Sequence, residues 1–144
     1  MKNNSGIKIF GIKDRKVLLS TLWIFVTLNY LYCDVLSLMD PDLLKQFLTG
    51  TVGSMHMTQG VLFGAAILME IPISLVLLSR ILKYKANRWA NMVAGTIMTV
   101  VQLSSLFTGA PSLYYNFFSI IEITCTIFIF IVALKWSKNE EQFS

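Results

Sequence analysis

Residues 113–134 read LYYNFFSIIEITCTIFIFIVAL, twenty-two positions with a single charged side chain, Glu122. A run of roughly 20 apolar residues is what a bilayer-spanning helix requires. Three further stretches have the same character, at about 17–38, 59–82 and 89–107. The composition agrees: 55% of the chain is apolar and only 14% is charged, too little charge to cover a soluble domain of 144 residues. The expectation is an all-α fold, a four-helix membrane bundle over 17–136 between a basic tail, 1–16, and a short C-terminal tail, 137–144. No space is left for a soluble domain.

Orientation follows from the bases. Lys2, Lys8, Lys13, Arg15 and Lys16 precede the first run, Arg80, Lys83, Lys85 and Arg88 lie between the second and third, and Lys135 and Lys138 follow the fourth. Eleven of the 12 Lys and Arg residues therefore fall on one side, with Lys45 opposite. By the positive-inside rule both termini are cytoplasmic. The net charge of +4 reports topology and attraction to anionic headgroups, and no nucleic-acid partner is expected. The first run is too long, and too polar at Asn29 and Asp34, for a cleaved leader.

The connections differ in character. Asp40 is placed to cap a short helix begun by Pro41, with Asp42 complementing its dipole. Leu43, Leu44, Phe47 and Leu48 share one face of that helix up to Gly50, which suits a segment lying in the outer interface. Residues 51–57 then form the one loose connection long enough to act as a lid. Asn87 is expected to cap the third helix, with Trp89 at headgroup level. Residues 108–112 form a tight outer turn. Tyr114, Tyr115 and Trp136 are expected to anchor the ends of the last span.

Residues three or four apart share a helix face. One arc of the first helix gathers Tyr30, Cys33, Asp34 and Ser37, with Asn29 at its edge. The second aligns Gln59, Phe63, Ala66, Glu70 and Ser74. Asn91, Gly95, Met98, Gln102 and Ser105 line the third, and Tyr115, Ser119, Glu122, Cys125 and Thr126 the fourth. Small and polar residues are what membrane helices set against one another, so four polar stripes predict one polar centre. At about 1.5 Å per residue, Glu70 and Asn29 lie near mid-depth, Glu122 about 3 Å outward, Gln102 somewhat outward and Asp34 about 10 Å outward. Pro72 frees the carbonyl of Leu68 close to Glu70, an arrangement suited to a cation.

Three carboxylates in hydrocarbon, with no buried base to neutralise them, are a functional-site hypothesis in their own right. They repel one another, so they are expected to hold protons or a counter-cation. The expected ligand site is Glu70 and Glu122 for charge recognition, Asp34 at the entrance, and Asn29, Tyr30 and Gln102 to orient the ligand. That ligand would be a proton or a lipophilic cationic small molecule, bound and conceivably transported; four helices are few for a transport path, so a homodimer is expected. The alternative is a non-catalytic accessory subunit whose acids form a protonated hydrogen-bond network. A lipid-modifying or redox-associated enzyme stands third, because no metalloprotease, phosphate-loop, nucleophile-elbow or dinucleotide motif is present. No cofactor and no metal are expected: His56 between Met55 and Met57 reads as a polar loop residue, and Cys33 and Cys125 form no metal-binding pair.

The blocks Asn29-Tyr30-Leu31-Tyr32-Cys33-Asp34, Met69-Glu70-Ile71-Pro72-Ile73, Leu78-Ser79-Arg80, Asn87-Arg88-Trp89-Ala90-Asn91 and Tyr114 through Glu122 together resemble an uncharacterised family of small bacterial four-helix membrane proteins, carrying only a domain-of-unknown-function label. The resemblance covers about 18–136 and implies a bacterial inner-membrane setting without an activity. DoxX-like proteins, some linked to redox chemistry, are similar in size and topology only. The sterol-isomerase and sigma-2-receptor group is similar in placing carboxylates within a four-helix membrane cavity. Neither shares a motif with this chain.

Overall fold

The computed structural model of the protein describes residues 14–107 and 112–137. Lys2, Lys8, Lys13, Lys138 and residues 108–111 of the outer turn expected at 108–112 lie outside the described residues. Among the described residues five helices run in order: α1 (Arg15–Met39), α2 (Pro41–Thr49), α3 (Gln59–Ile81), α4 (Tyr84–Leu106) and α5 (Leu113–Leu134). A two-residue hairpin, β1 (Thr51–Val52) with β2 (Met55–His56), separates α2 from α3. Among the described residues three helices, α1, α3 and α5, are long and apolar enough to cross a membrane. At 23 residues α4 equals α3 in length. It carries Lys85, Asn87, Arg88, Asn91 and Gln102, however, and is the most polar of the four long helices.

α1 packs on α3 and on α5, α5 on α4, and α4 meets α3 along a smaller contact. The ring is therefore α3–α1–α5–α4. The core lies toward the end where α1 and α4 begin and α3 and α5 finish. There Leu19, Trp23 and Val26 of α1 meet Leu75 of α3, Ala94 and Met98 of α4, and Ile129 and Val132 of α5, with Trp136 beyond. The described bases other than Lys45 belong to this same end. Toward the opposite end the ring opens, and residues 62–67 of α3 are exposed without a break.

Close approach of α4 and α5 depends on Gly95. A Cβ at that position would lie 3.2 Å from the Thr126 carbonyl oxygen and 3.5 Å from Phe130 Cβ. Thr99 and Thr126 hydroxyls meet at 2.8 Å one turn further on. Gln102 and Ser119, and then Ser105 and Tyr115, continue the contact to the far end of both helices.

The basic end is tied by backbone carbonyls that helix geometry leaves over. The last four carbonyls of a helix have no partner within it. In α5 they are all met: Ile131 by the Lys135 amide, Val132 by Arg15 Nη1 at 3.5 Å, Ala133 by the Trp136 amide and Leu134 by Arg88 Nη2 at 3.0 Å. Two guanidinium groups thus sit at the negative end of the α5 dipole. In α3, Leu78 is met by the Leu82 amide, and Ser79 by Asn87 Nδ2 at 2.6 Å. This revises the role expected of Asn87. The helix begins at Tyr84 rather than at Trp89, so Asn87 lies inside α4 and terminates the preceding helix.

Trp136 also departs from expectation. It is 2% exposed, stacks edge to face on Tyr84 with ring centroids 5.4 Å apart, and its carbonyl accepts from the Tyr84 hydroxyl at 2.7 Å. It is a core residue, whereas Trp89, 66% exposed, has the exposure an interfacial anchor needs.

In the connection, Asp40 accepts from the amides of Asp42 and Leu43, and Pro41 opens α2. Gly50 (φ 73°) closes it in the left-handed conformation, its amide reaching Gln46 and Phe47 carbonyls. The following stretch was expected to be loose but is a hairpin docked on α2. Gly53 (φ 57°) supplies its turn and donates to Gln46 Oε1 at 2.9 Å, and His56 Nδ1 lies 3.3 Å from the Thr51 hydroxyl.

Candidate functional site

Glu122 is the centre of what the described residues offer. It sits on the inward face of α5 with Ser119, Cys125, Thr126 and Ile129 and is 1% exposed. Its Oε1 is buried and makes no hydrogen bond. Across from it on α1, the buried Tyr30 hydroxyl is likewise unpartnered, and so is Thr27 Oγ1 one turn inward. Tyr30, Cys33, Asp34 and Tyr115 all lie within electrostatic reach of the Glu122 carboxyl. No Lys or Arg falls between Lys16 and Lys45 on the α1 side, or between Arg88 and Lys135 on the α5 side. Buried polar atoms left unbonded are uncommon and costly. The unbonded Tyr30 and Glu122 oxygens, within electrostatic reach of each other from two helices, suit a group that supplies positive charge or donated hydrogen.

Asp34 follows Tyr30 by one turn on the same side of α1. It is nevertheless exposed, because the outer half of the ring does not close over it. A carboxylate at the open side and a second in the core, within range of each other, give the site a direction of access.

The remaining residues expected here divide cleanly. Gln102 is buried and donates to Ser119 Oγ at 2.9 Å, so it ties α4 to α5. Asn29 bonds back to the Phe25 carbonyl of its own helix at 2.8 Å, on the flank of α1. Tyr115 donates to Ser105 Oγ at 2.6 Å while remaining close to Glu122.

Glu70 does not join the centre. The side of α3 turned to the ring carries Pro72, Leu75 and Ser79, and Glu70 lies on the opposite side, exposed, accepting from its own Ser74 at 3.0 Å. The stripe Gln59, Phe63, Ala66 and Glu70 points away from the bundle. Pro72 faces inward, so the carbonyl it frees and the Glu70 carboxylate are on different sides of the helix. The pairing expected from their adjacency in sequence is not made.

The two cysteines are free. Cys125 Sγ lies 3.7 Å from the Leu22 carbonyl, while Cys33 is eleven residues along α1 from Leu22, about 16 Å of rise. Their separation is beyond disulfide reach.

The most extensive polar assembly lies elsewhere and was not anticipated as a unit. Asn91 Oδ1 accepts from Trp23 Nε1 at 2.6 Å and from Ser79 Oγ at 3.2 Å. Asn91 Nδ2 donates to the Asn87 carbonyl at 2.9 Å and to Asn87 Oδ1 at 2.7 Å. Trp23, Ser79, Asn87 and Asn91 are all 0% exposed. Ser20 Oγ adds a bond to the Val76 carbonyl at 2.7 Å. Because Asn91 already uses both its donors and its acceptor, this assembly is a clasp of α1, α3 and α4. The Asn87–Asn91 spacing of four was the available signal.

Residues 7–142 match the family of unknown function DUF6326, and the chain belongs to that family. No curated protein and no solved structure matches it.

Proposed function

We propose that the protein is a bacterial inner-membrane protein with four crossing helices and both termini cytoplasmic, binding a cation, a proton or an organic amine, between Glu122, Tyr30 and Asp34. What carries this reading is the unpartnered Glu122 carboxyl oxygen, sealed in a bundle of apolar helices and facing an unpartnered tyrosine hydroxyl. An ionised carboxylate there is strongly disfavoured unless a cation accompanies it. Asp34 is the outer acid through which such a cation enters, and the hairpin end is the side of access. α4 is the fourth crossing helix: it runs beside α5 from Arg88 to Ser105 and buries its polar residues inward. The charge asymmetry between the two ends supports the orientation.

One observation favours a second reading, the neutral hydrogen-bond network of an accessory subunit. Asn29 and Gln102, expected to orient a ligand, already bond within the protein, as does Tyr115. The two readings separate in thermal unfolding of the full chain in mild detergent, across pH and a series of primary to quaternary amines. A ligand that binds only the native state raises Tm by mass action. Cation binding requires a pH- or amine-dependent rise in Tm that is lost in Glu122→Gln. An unchanged response in Glu122→Gln, or none in the wild type, removes the cation site and leaves the network.

A further inference from the structure

The outward side of α3 repeats with a coiled-coil spacing. Gln59, Phe63, Ala66, Glu70, Ile73 and Leu77 follow one another at intervals of four, three, four, three and four. This is the alternation of a two-stranded seam, and none of these residues is covered. Phe63 is 69% exposed, Ile73 49% and Leu77 63%. Exposure of apolar side chains to lipid explains itself, but Glu70 does not. It is the twelfth of the 23 residues of α3, about 16 Å of helix rise from either end. That is too deep for a glutamate side chain to reach headgroups. A mid-depth carboxyl on a lipid-facing seam needs a polar partner, and its own helix supplies only Ser74.

We propose that this seam is the interface with a second copy of the chain. Two copies inserted with the same orientation bring their α3 helices together in parallel, so every seam residue meets its own counterpart across a two-fold axis. Glu70 then faces Glu70 of the other copy, and a hydrogen bond between the two carboxyl groups gives each the polar partner that its own helix lacks. A polar residue flanked by Phe63 and Ala66 on one side and Ile73 and Leu77 on the other is also what fixes register in two-stranded coils. No other occupant has this property by symmetry. The surface lies on the side of α3 away from Glu122, so it stands or falls independently of the cation site.

The test is disulfide capture of the full-length chain reconstituted in phosphatidylethanolamine–phosphatidylglycerol vesicles, with Cys33 and Cys125 replaced by alanine. Ile73→Cys and Leu77→Cys report the seam, and Leu28→Cys and Val93→Cys report other exposed faces. Mild oxidation is expected to convert the two seam variants to a species of twice 16.3 kDa while the other two stay monomeric. Adding Glu70→Gln preserves capture, because an amide pairs with itself, and Glu70→Leu lowers it several-fold. Native mass spectrometry of the unmodified chain is expected to show the same doubled mass and so guards against misfolding of the cysteine-free background. Equal capture at all four positions, capture confined to Leu28→Cys or Val93→Cys, or a wild-type monomer overturns the proposal. So does capture of a different protein by Ile73→Cys in intact cells in place of the doubled species.

Discussion

Replacing Asn91 by alanine removes four hydrogen bonds at once and leaves two buried partner atoms unsatisfied. Trp23 Nε1, at 2.6 Å, and Asn87 Oδ1, at 2.7 Å, belong to residues with no exposed surface. The Ser79 hydroxyl, at 3.2 Å, can rotate and recover part of its loss. Side-chain hydrogen bonds between membrane helices average about 0.6 kcal/mol, which gives about 2.4 kcal/mol for four. A dry, unsatisfied polar group costs about 1–3 kcal/mol, and two of them raise the upper end. The expected destabilisation is therefore about 2–4 kcal/mol. Asn91→Asp keeps the acceptor for Trp23 but turns an oxygen toward the two Asn87 oxygens that Nδ2 serves, so it is expected to be no more stable than alanine. Asn29→Ala removes only an exposed bond to its own helix and is the internal control, expected within about 0.5 kcal/mol of wild type. Equilibrium unfolding in mixed detergent micelles, followed by tryptophan fluorescence, reads all three. The reasoning is refuted if Asn91→Ala matches Asn29→Ala, since that would mean the clasp contributes nothing to holding α1, α3 and α4 together.

Two further substitutions probe the neighbouring contacts. Gly95→Ala places a methyl group 3.2 Å from the Thr126 carbonyl and is expected to cost about 1 kcal/mol, with Gly95→Leu costing more as α4 and α5 are pushed apart; the same unfolding assay checks the order. Arg88→Met keeps the side-chain stem but removes the donor to the Leu134 carbonyl, a loss of about 0.5–2 kcal/mol at the end of the α5 dipole, and amide exchange at Lys135 and Trp136 should quicken with it.

The helical character of the chain was legible in its apolar runs, and the inward faces of α4 and α5 in the spacing of Asn91, Gly95, Met98 and Gln102 and of Ser119, Glu122, Cys125 and Thr126. The same rule misplaced α3. In water a polar stripe marks the outside; in lipid it marks contact with protein, but not which protein. Glu70 obeys that rule only if contact with another copy is admitted, while the side of α3 turned to the ring is made of Leu68, Ile71, Pro72 and Leu75, indistinguishable in composition from a lipid-facing side. Trp136 failed for a related reason. A tryptophan at the end of a span looks the same in sequence whether it lies at a headgroup or, as here, under Tyr84. Thr27 gave no signal, because a buried unbonded hydroxyl looks the same in sequence as one bonded back to its own helix, as that of Thr21 is.

The carbonyl ties at the basic end also show how the parts of the protein depend on one another. α1, α3 and α4 hold every residue of the Asn91 clasp, so the clasp makes no demand on α5. α5 is the keystone between two of them instead. Its final carbonyls engage Arg15 of α1 and Arg88 of α4, and the same helix sets Glu122 against Tyr30. The position of the carboxyl is thus fixed by a latch several turns away from it.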